Sequence, residues 1–264
     1  MILCYNLRVM KIGLFIKKQV VNETLEKEIA DKITSFGYQI DNENPDVVFS
    51  IGGDGTFLRA IHHYLDKSDK VSFLALNKGK LGFFSDYKVE DLDEILSSLK
   101  DKKPHKFRLL EADISDKTIY ALNEIRIENP FHTLISEVYV NDEYVETFRG
   151  NGLVVSSSLG SSAYNKSVGG ALVDTSLEVL ELTEIAPINN VLYTSLKSPL
   201  VLSESSKVTF KGNFKDVVVG FDHLVSKDES ANEITFRLSK KTVSILWRED
   251  HSHIRKLSKS FIKE

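Results

Sequence analysis

The fold turns on Asp46-Val47-Val48-Phe49-Ser50-Ile51, which runs directly into Gly52-Gly53-Asp54-Gly55-Thr56. The first six residues are mostly apolar and β-branched, and the run is too short for a buried helix. It reads as a strand covered on both faces, as strands of parallel sheets are. The glycines break the strand. After them Phe57, Leu58, Ile61, Tyr64 and Leu65 recur at helical spacing. A strand, a glycine turn and a helix in that order put the turn at the carboxyl end of a parallel strand, where open α/β sheets bind ligands. Glycines let the backbone come close to a phosphate, and the helix offers it unpaired amides. A carboxylate among those glycines should repel phosphate. It makes sense if Asp54 takes a proton from a hydroxyl or helps hold a metal ion. The plainer alternative is a tight turn with Asp54 capping the helix.

Working outward, Lys11–Lys17 reads as a first strand. Asn22 can cap a helix carrying Leu25, Ile29, Ile33 and Phe36, with Gly37 as its stop. Beyond the glycine turn, Val71–Leu76 is another strand, and Leu92, Ile95, Leu96 and Leu99 mark another helix. Residues 1–103 are therefore expected to form an α/β domain with a parallel sheet. After Pro104 strands dominate: 107–114, 118–128, 134–140, 143–149, 153–156, 192–196, 207–211, 217–221, 233–238 and 242–247, with Asn141-Asp142 as a hairpin turn. Residues 104–247 are thus expected to be β-rich, antiparallel and sandwich-like, with one helical insertion between Ala163 and Ile185. Residues 248–264 are left as a basic tail, helical or frayed near Ile254–Ile262.

The composition narrows the function. The chain has 264 residues, 42% hydrophobic and 27% charged, which suits a globular core and excludes intrinsic disorder. One cysteine, Cys4, excludes a disulfide scaffold. No apolar run approaches the roughly 20 residues of a membrane helix. The net charge of −4, from 34 basic and 38 acidic residues, argues against nucleic-acid or anionic-membrane partners, so any phosphate handling must be local. No targeting signal is legible at the N-terminus, residues 1–9 read as an extension or an early start, and a cytoplasmic location is expected. No cluster has the spacing of a structural zinc site. Arg248, His251, His253, Arg255 and Lys256 are expected to form a solvated basic patch, with Trp247 in the core or an interface.

Two further stretches carry polar chemistry. Leu122-Asn123-Glu124 interrupts an apolar strand pattern and, taken alone, reads as a solvent-facing pair. Phe148-Arg149-Gly150-Asn151-Gly152 is followed by a serine- and glycine-rich run from Ser156 to Ser167 that contains Tyr164. Such a stretch is either a surface loop or a ligand site, with hydrogen-bonding groups and an aromatic face for a base.

Taken as an ordered set, these motifs resemble those of NAD kinases. The resemblance runs from about Lys11 to about His223. It rests on Gly52–Thr56, Asn77–Phe83, Leu122–Glu124, Phe148–Gly152, Ser162–Ser167, Ile185–Asn190 and Asp222-His223. The first motif alone is shared with lipid kinases and is similar to one in phosphofructokinases. The resemblance implies that ATP phosphorylates the 2′-hydroxyl of the adenosine ribose of NAD, giving NADP. It implies Asp54 as general base and Gly53, Gly55 and Thr56 at the donor's phosphates, with Lys80 and His223 near phosphates. On the NAD side it implies Phe83, Asn123, Glu124, Asn151, Ser162, Ala163, Tyr164, Ser167, Ala186 and Asn190, with Arg149 supporting the site or a neighbouring subunit. Magnesium is expected with ATP rather than in a fixed protein site. The family's architecture implies an active site between an α/β and a β-rich domain, a tail that returns to the first domain, and a homodimer or homotetramer.

The chain departs from the family in two places. NAD kinases usually carry Asp where Asn151 stands. They usually read Ser-Thr-Pro-Thr-Gly-Ser-Thr-Ala-Tyr where this chain has Ser156-Ser157-Ser158-Leu159-Gly160-Ser161-Ser162-Ala163-Tyr164. Two other readings stay open from the residues: a lipid or sugar kinase sharing the glycine turn, and a non-catalytic NAD(H) or NADP sensor. The first leaves Asn123, Asn151 and Ser162–Tyr164 unexplained, and the second leaves Asp54 unexplained.

Overall fold

The computed structural model describes residues 8–19, 21–79, 82–227 and 230–262. The chain divides into two compact units: one up to Phe107 together with Thr242–Ser252, the other Arg108–Lys241 together with the segment from His253. The first break lies close to the expected one at 103, but the end of the chain divides differently. Residues 242–252 belong to the first unit, and the helix from His253 belongs to the second rather than returning to the first.

The first unit alternates strand and helix: β1 (Lys11–Ile16), α1 (Glu23–Ser35), β2 (Gln39–Ile40), β3 (Val47–Ile51), α2 (Asp54–His63), β4 (Ser72–Asn77), β5 (Tyr87–Lys88) and α3 (Leu92–Ser98). All five residues of β3 are buried, as the apolar run requires. Asn22 caps α1 by accepting from the Leu25 amide at 2.9 Å, and the helix ends at Phe36, just before Gly37. The strands pair in parallel in the order β4-β3-β1-β2, with β5 and Ser244–Ile245 pairing with β4. From β1 the chain moves to β2 on one side, and from β3 it moves to β4 on the other. The crevice at the carboxyl ends of β1 and β3 is therefore the point where the winding reverses. Ile12, Phe49, Ile51, Leu74, Leu76 and Ile95 are fully buried beneath the helices. Each such side chain contributes about 1.5–3 kcal/mol.

The second unit is β-rich: β6 (His105–Ile114), β7 (Lys117–Ala121), β8 (Glu124–Glu128), β9 (Leu134–Val140), β10 (Glu143–Gly150), β11 (Gly152–Ser157), α4 (Tyr164–Ser167), β12 (Val179–Ile185), β13 (Leu200–Ser203), β14 (Val208–Lys211), β15 (Val218–Phe221), β16 (Leu224–Ser226), β17 (Glu233–Ile245) and α5 (His253–Phe261). One antiparallel sheet runs β13-β12-β11-β8-β15-β16; another runs β10-β9-β14-β17, with β6 against β17 and β7 against β6. Val138, Phe148, Phe210 and Phe236 from one sheet share a core with Ile125, Val155, Leu182 and Val219 from the other, which makes the unit a sandwich. Asn141 and Asp142 take φ of 51° and 68°, as a two-residue turn joining twisted strands requires.

Several sequence expectations are corrected here. The run 118–128 is two strands, β7 and β8, broken at Leu122–Asn123. The helical insertion expected between Ala163 and Ile185 is only the four-residue α4, followed by the strand β12. Residues 192–196 form a loop, because the Asn190 side chain takes the Leu192 and Tyr193 amides at 2.8 and 2.9 Å in place of a strand partner. The runs 233–238 and 242–247 are joined in β17, where the Arg108 guanidinium reaches the carbonyls of Leu238 and Ser239 at 2.7 and 2.9 Å across the polar break. Among the described residues no helix is long and apolar enough to cross a membrane.

Candidate active site

In the first unit the glycine turn delivers Asp54 as the first residue of α2, with Gly53 as a helix cap that lacks a side chain to bond with. Asp54 does not cap its own helix. Its Oδ2 accepts from the Phe83 amide at 2.9 Å and its Oδ1 from the Phe84 amide at 3.2 Å. Gly82 lies so close that a Cβ there would overlap the Asp54 carboxylate. The 82–84 segment is itself braced: Phe84 stacks on Phe57 at 4.9 Å, and its carbonyl accepts from the Trp247 indole at 3.0 Å. Trp247 is in turn stacked on His251 at 3.8 Å, and His251 Nδ1 lies 2.8 Å from Asp86. A carboxylate has about four lone-pair sites, so two amide bonds orient Asp54 and leave it able to accept a proton. Thr56 is buried, and its amide closes the turn onto the Gly53 carbonyl at 2.8 Å; Gly53 and Gly55 are exposed.

A groove of about 600 Å³ opens at the carboxyl end of β1, lined by Phe15, Lys17, Lys18, Thr56 and Arg59 among others. It lies at the reversal point of the sheet. Lys17, Lys18 and Arg59 are exposed, and among the described residues none of the three has a carboxylate partner. Three cations without a carboxylate partner beside a glycine turn, in a chain of net charge −4, give the groove a local positive charge that suits an anion. The sequence reading passed over them because two adjacent lysines after a strand look like any solvated turn.

In the second unit Asn123 and Glu124 are 7% and 4% exposed, which overturns the solvent-facing reading of the pair. The strand break that produces them is held by Asp222, whose carboxylate accepts from the Leu122 and Asn123 amides, both at 2.8 Å. Behind them, the Ser157 hydroxyl donates to the Leu122 carbonyl at 2.6 Å, and Gly160 packs so tightly on the Asn123 carbonyl that no Cβ would fit. Asn123 Oδ1 and Glu124 Oε2 are buried without a hydrogen-bond partner. Burial, reinforced by the Asp222 charge, pushes Glu124 up to about 8 despite the Arg126 guanidinium at 3.8 Å. At neutral pH Glu124 is therefore a carboxylic acid, a donor as well as an acceptor. Arg126 also pairs with Glu128 at 2.7 Å and lies over the Tyr164 ring at 4.8 Å, while the Tyr164 hydroxyl donates to Glu128 at 2.9 Å. The ring is thus fixed in place by an ion pair.

Residues 9–103 match the family model for the ATP-NAD kinase N-terminal domain and residues 122–246 that for the ATP-NAD kinase C-terminal domain. The chain is 35% identical to the NAD kinase of Lactobacillus johnsonii over 244 residues, 89% of this chain and 90% of that one. It is 33% identical to the NAD kinase of Leuconostoc mesenteroides over 262 residues, 97% of this chain and 99% of that one. The chain belongs to the NAD kinase family. Its fold is similar to that of a yeast NADH kinase complexed with NADH (TM-score 0.82, 18% identity, covering 97% of this chain and 89% of that one). It is also similar to that of an NAD kinase from Archaeoglobus fulgidus in complex with ATP (TM-score 0.78, 23% identity, 94% and 97%).

The remaining residues that the resemblance to NAD kinases singled out fall as follows. Lys80 lies outside the described residues. Ser162 is buried beside Ala163, whose amide turns back to the Gly160 carbonyl at 2.9 Å. Ser167 is exposed and donates to the Tyr164 carbonyl at 2.6 Å, so it ends α4. Arg149 lies over the Tyr193 ring at 4.3 Å, and its carbonyl accepts from the Ile188 amide at 2.7 Å, tying β10 to the loop that holds Ala186 and Asn190. Ala186 takes φ 46°. Asn151 is exposed, with its side-chain amide 3.5 Å from the Asn129 carbonyl, so this chain uses it as a donor. His223 is exposed in the turn between β15 and β16.

Two members of the basic patch read near the C-terminus are paired rather than solvated. Arg248 pairs with Asp91 and Glu94 and His251 with Asp86 in the first unit, whereas His253 onward belongs to the second. Sequence reasoning also gave Asp222, Arg126 and Glu128 no role. The Asp222-His223 motif was the available signal for the first, but a carboxylate serving backbone amides 99 and 100 residues earlier leaves no local pattern.

Proposed function

We propose that the chain phosphorylates the 2′-hydroxyl of the adenosine ribose of NAD with ATP, and that its two units divide the work. The observation that carries this is the pair of buried, unpartnered atoms, Asn123 Oδ1 and Glu124 Oε2, on adjacent residues. A buried polar group without a partner costs about 1–3 kcal/mol. Neighbouring hydroxyls of a ribose would satisfy both, with the protonated Glu124 donating and Asn123 accepting. Tyr164 supplies a preset aromatic face for the adenine, beside Ser162 and Ala163, with Asn151, Ser167, Ala186 and Asn190 as further candidates for NAD.

On the donor side, Lys17, Lys18 and Arg59 take the triphosphate charge in the groove beside Thr56, and the amides of Gly53 and Gly55 approach it. Lys80 and His223 are further candidates for phosphate. Asp54, oriented by the Phe83 and Phe84 amides, accepts the hydroxyl proton. Magnesium enters this reading with ATP, as its phosphate charge requires. Bound to ATP, magnesium would offset the phosphate charge during transfer. Asp54, oriented yet able to accept a proton, favours a kinase over a sensor, and the preset ring of Tyr164 favours a nucleotide over a lipid or sugar.

Exposed Ile188, Val191 and Leu192 on one loop support assembly with further copies, a homodimer or homotetramer, which light scattering tests. The composition, with Cys4 its one thiol, supports a cytoplasmic location. Calorimetry of NAD binding tests the acceptor assignment. Asn123→Ala is expected to weaken NAD by roughly 5- to 150-fold, the equivalent of about 1–3 kcal/mol, and to leave ATP binding unchanged. Equal losses for both nucleotides would refute it.

A further inference from the structure

The amides that orient Asp54 belong to Phe83 and Phe84, in a segment, 82–86, that has no helix or strand of its own to stiffen it. What fixes this segment comes from residues 247–251. Trp247 lies 163 positions beyond Phe84, yet folds into the same first unit. Contact is made at two points. The Trp247 indole donates to the Phe84 carbonyl at 3.0 Å. The Asp86 carboxylate accepts from the Arg248 amide at 3.2 Å and lies 2.8 Å from His251 Nδ1. Between the two points the His251 ring lies on the Trp247 indole, 3.8 Å away and inclined by 4°. The His251 amide closes the turn onto the Arg248 carbonyl at 3.0 Å, which brings the two rings face to face. Phe107 packs on the indole at 5.3 Å. His251 Nε2 is buried without a hydrogen-bond partner, so the ring works through its face and Nδ1.

Phe84 is consequently held twice. Phe57 stacks on its ring at 4.9 Å, and Trp247 takes its carbonyl. The Gly82 amide donates to the Ser85 hydroxyl at 2.9 Å and closes the segment on itself. With ring and carbonyl fixed, the Phe84 amide is left aimed at Asp54. Without the indole, the Phe84 peptide is free to turn toward water. Asp54 then loses an orienting bond while keeping its own place at the start of α2.

We infer that Trp247, backed by His251 and Asp86, is a positioning residue that holds the Phe83 and Phe84 amides on Asp54 and so sets the rate of proton removal. The link to rate rests on Asp54 being the general base, as proposed above; the clasp on residues 82–86 does not. The clasp aims the proton acceptor, so its loss is felt in turnover rather than in nucleotide affinity. A misplacement of about 1 Å in a reacting group costs up to about 10²-fold.

The test is a double-variant cycle in NADP formation, with hydrogen exchange at the Phe83 and Phe84 amides measured alongside. Trp247→Phe removes the indole donor and keeps a ring against His251. Its kcat is expected to fall roughly tenfold, with the Michaelis constants for NAD and ATP within about twofold of the wild type. His251→Ala keeps the donor and removes the ring behind it, and is expected to lower kcat roughly threefold. In Asp54→Asn the group being positioned is already disabled, so adding Trp247→Phe is expected to cost less than about a further twofold. The two amides are expected to exchange roughly fivefold faster in Trp247→Phe, the worth of one neutral hydrogen bond. Unchanged kcat in Trp247→Phe beside a large fall in Asp54→Asn overturns the positioning role and leaves the base reading standing. The full tenfold loss repeated in the double variant also overturns it, because Trp247 then acts on the protein generally rather than through Asp54. Normal turnover in Asp54→Asn contradicts the base reading, and absence of NADP formation in every protein contradicts the kinase reading. In either case amide exchange still decides the clasp: unchanged rates in Trp247→Phe overturn it.

Discussion

Asp54 and Glu124 are two carboxyl groups prepared in opposite ways. Asp54, in the α/β unit, is half-buried and has a backbone amide on each oxygen. Glu124, in the sandwich unit, is buried, protonated at neutral pH and one oxygen short of a partner. The group suited to chemistry is oriented before any substrate arrives, whereas the group suited to recognition is completed only by one. The supports differ accordingly: Asp54 is held by a loop braced with Trp247 and Phe57, Glu124 by a strand break tied to Asp222. Replacing Asp54 should therefore cost rate, and replacing residues around Glu124 should cost affinity.

The sharpest way to break that contrast is Asp54→Asn. The amide cannot accept the ribose proton, and general base catalysis is worth about 10²–10⁴-fold, so turnover is expected to fall by that factor while NAD binding by calorimetry stays within about twofold. A large loss of affinity with turnover preserved would reverse the roles of the two carboxyl groups.

Next in size is Tyr164→Ala, expected to weaken NAD by about 1–3 kcal/mol, the range for base–aromatic stacking. Tyr164→Phe keeps the ring and loses only the bond to Glu128, so about 1 kcal/mol is expected. Titrations of both variants separate stacking from the hydrogen bond. Of similar size, Arg59→Ala is expected to raise the Michaelis constant for ATP several-fold, since one exposed phosphate contact is worth roughly 1 kcal/mol, and to leave that for NAD alone.

A smaller effect concerns stability. The folded pKa of Glu124 lies above its unfolded value, so the stability it contributes is fully present in acid and is lost as the pH rises through about 8. Thermal melts of Glu124→Gln should match the wild type near pH 4 and exceed it by a margin that grows with pH up to about 8. A pH-independent difference would mean that Glu124 is ionised throughout. The smallest change expected is Asn151→Asp. The side chain is exposed and only 3.5 Å from a carbonyl, so steady-state kinetics should show a change in the Michaelis constant for NAD of no more than about threefold.

What was legible in the sequence was whatever the chain settles locally. The buried β3, the glycine turn, the Asn22 cap and the Asn141-Asp142 hairpin each follow from a few consecutive residues. The α/β-then-β order follows from their sum. What stayed hidden depends on partners far along the chain. β12 was missed because Glu181 and Glu184 break its apolar pattern, yet both are buried: Glu181 is bonded to Asn165 and the Ala171 amide, and Glu184 grips the following loop. Residues 192–196 have strand-forming composition, but the Asn190 side chain takes their amides. The motifs located Asn123 and Glu124. That both are buried with an atom left over became visible only when Asp222, Ser157 and Gly160 were in place around them.

The most direct measurement is NADP formation by the purified wild-type chain with NAD, ATP and magnesium, followed by a coupled dehydrogenase assay. A diacylglycerol and a hexose serve as alternative acceptors. The account predicts steady NADP production that requires both nucleotides, at roughly 1–100 per second as kinases commonly run, and no transfer to the lipid or the sugar. NAD binding without any NADP formation, or transfer to the lipid or sugar in preference to NAD, would contradict it.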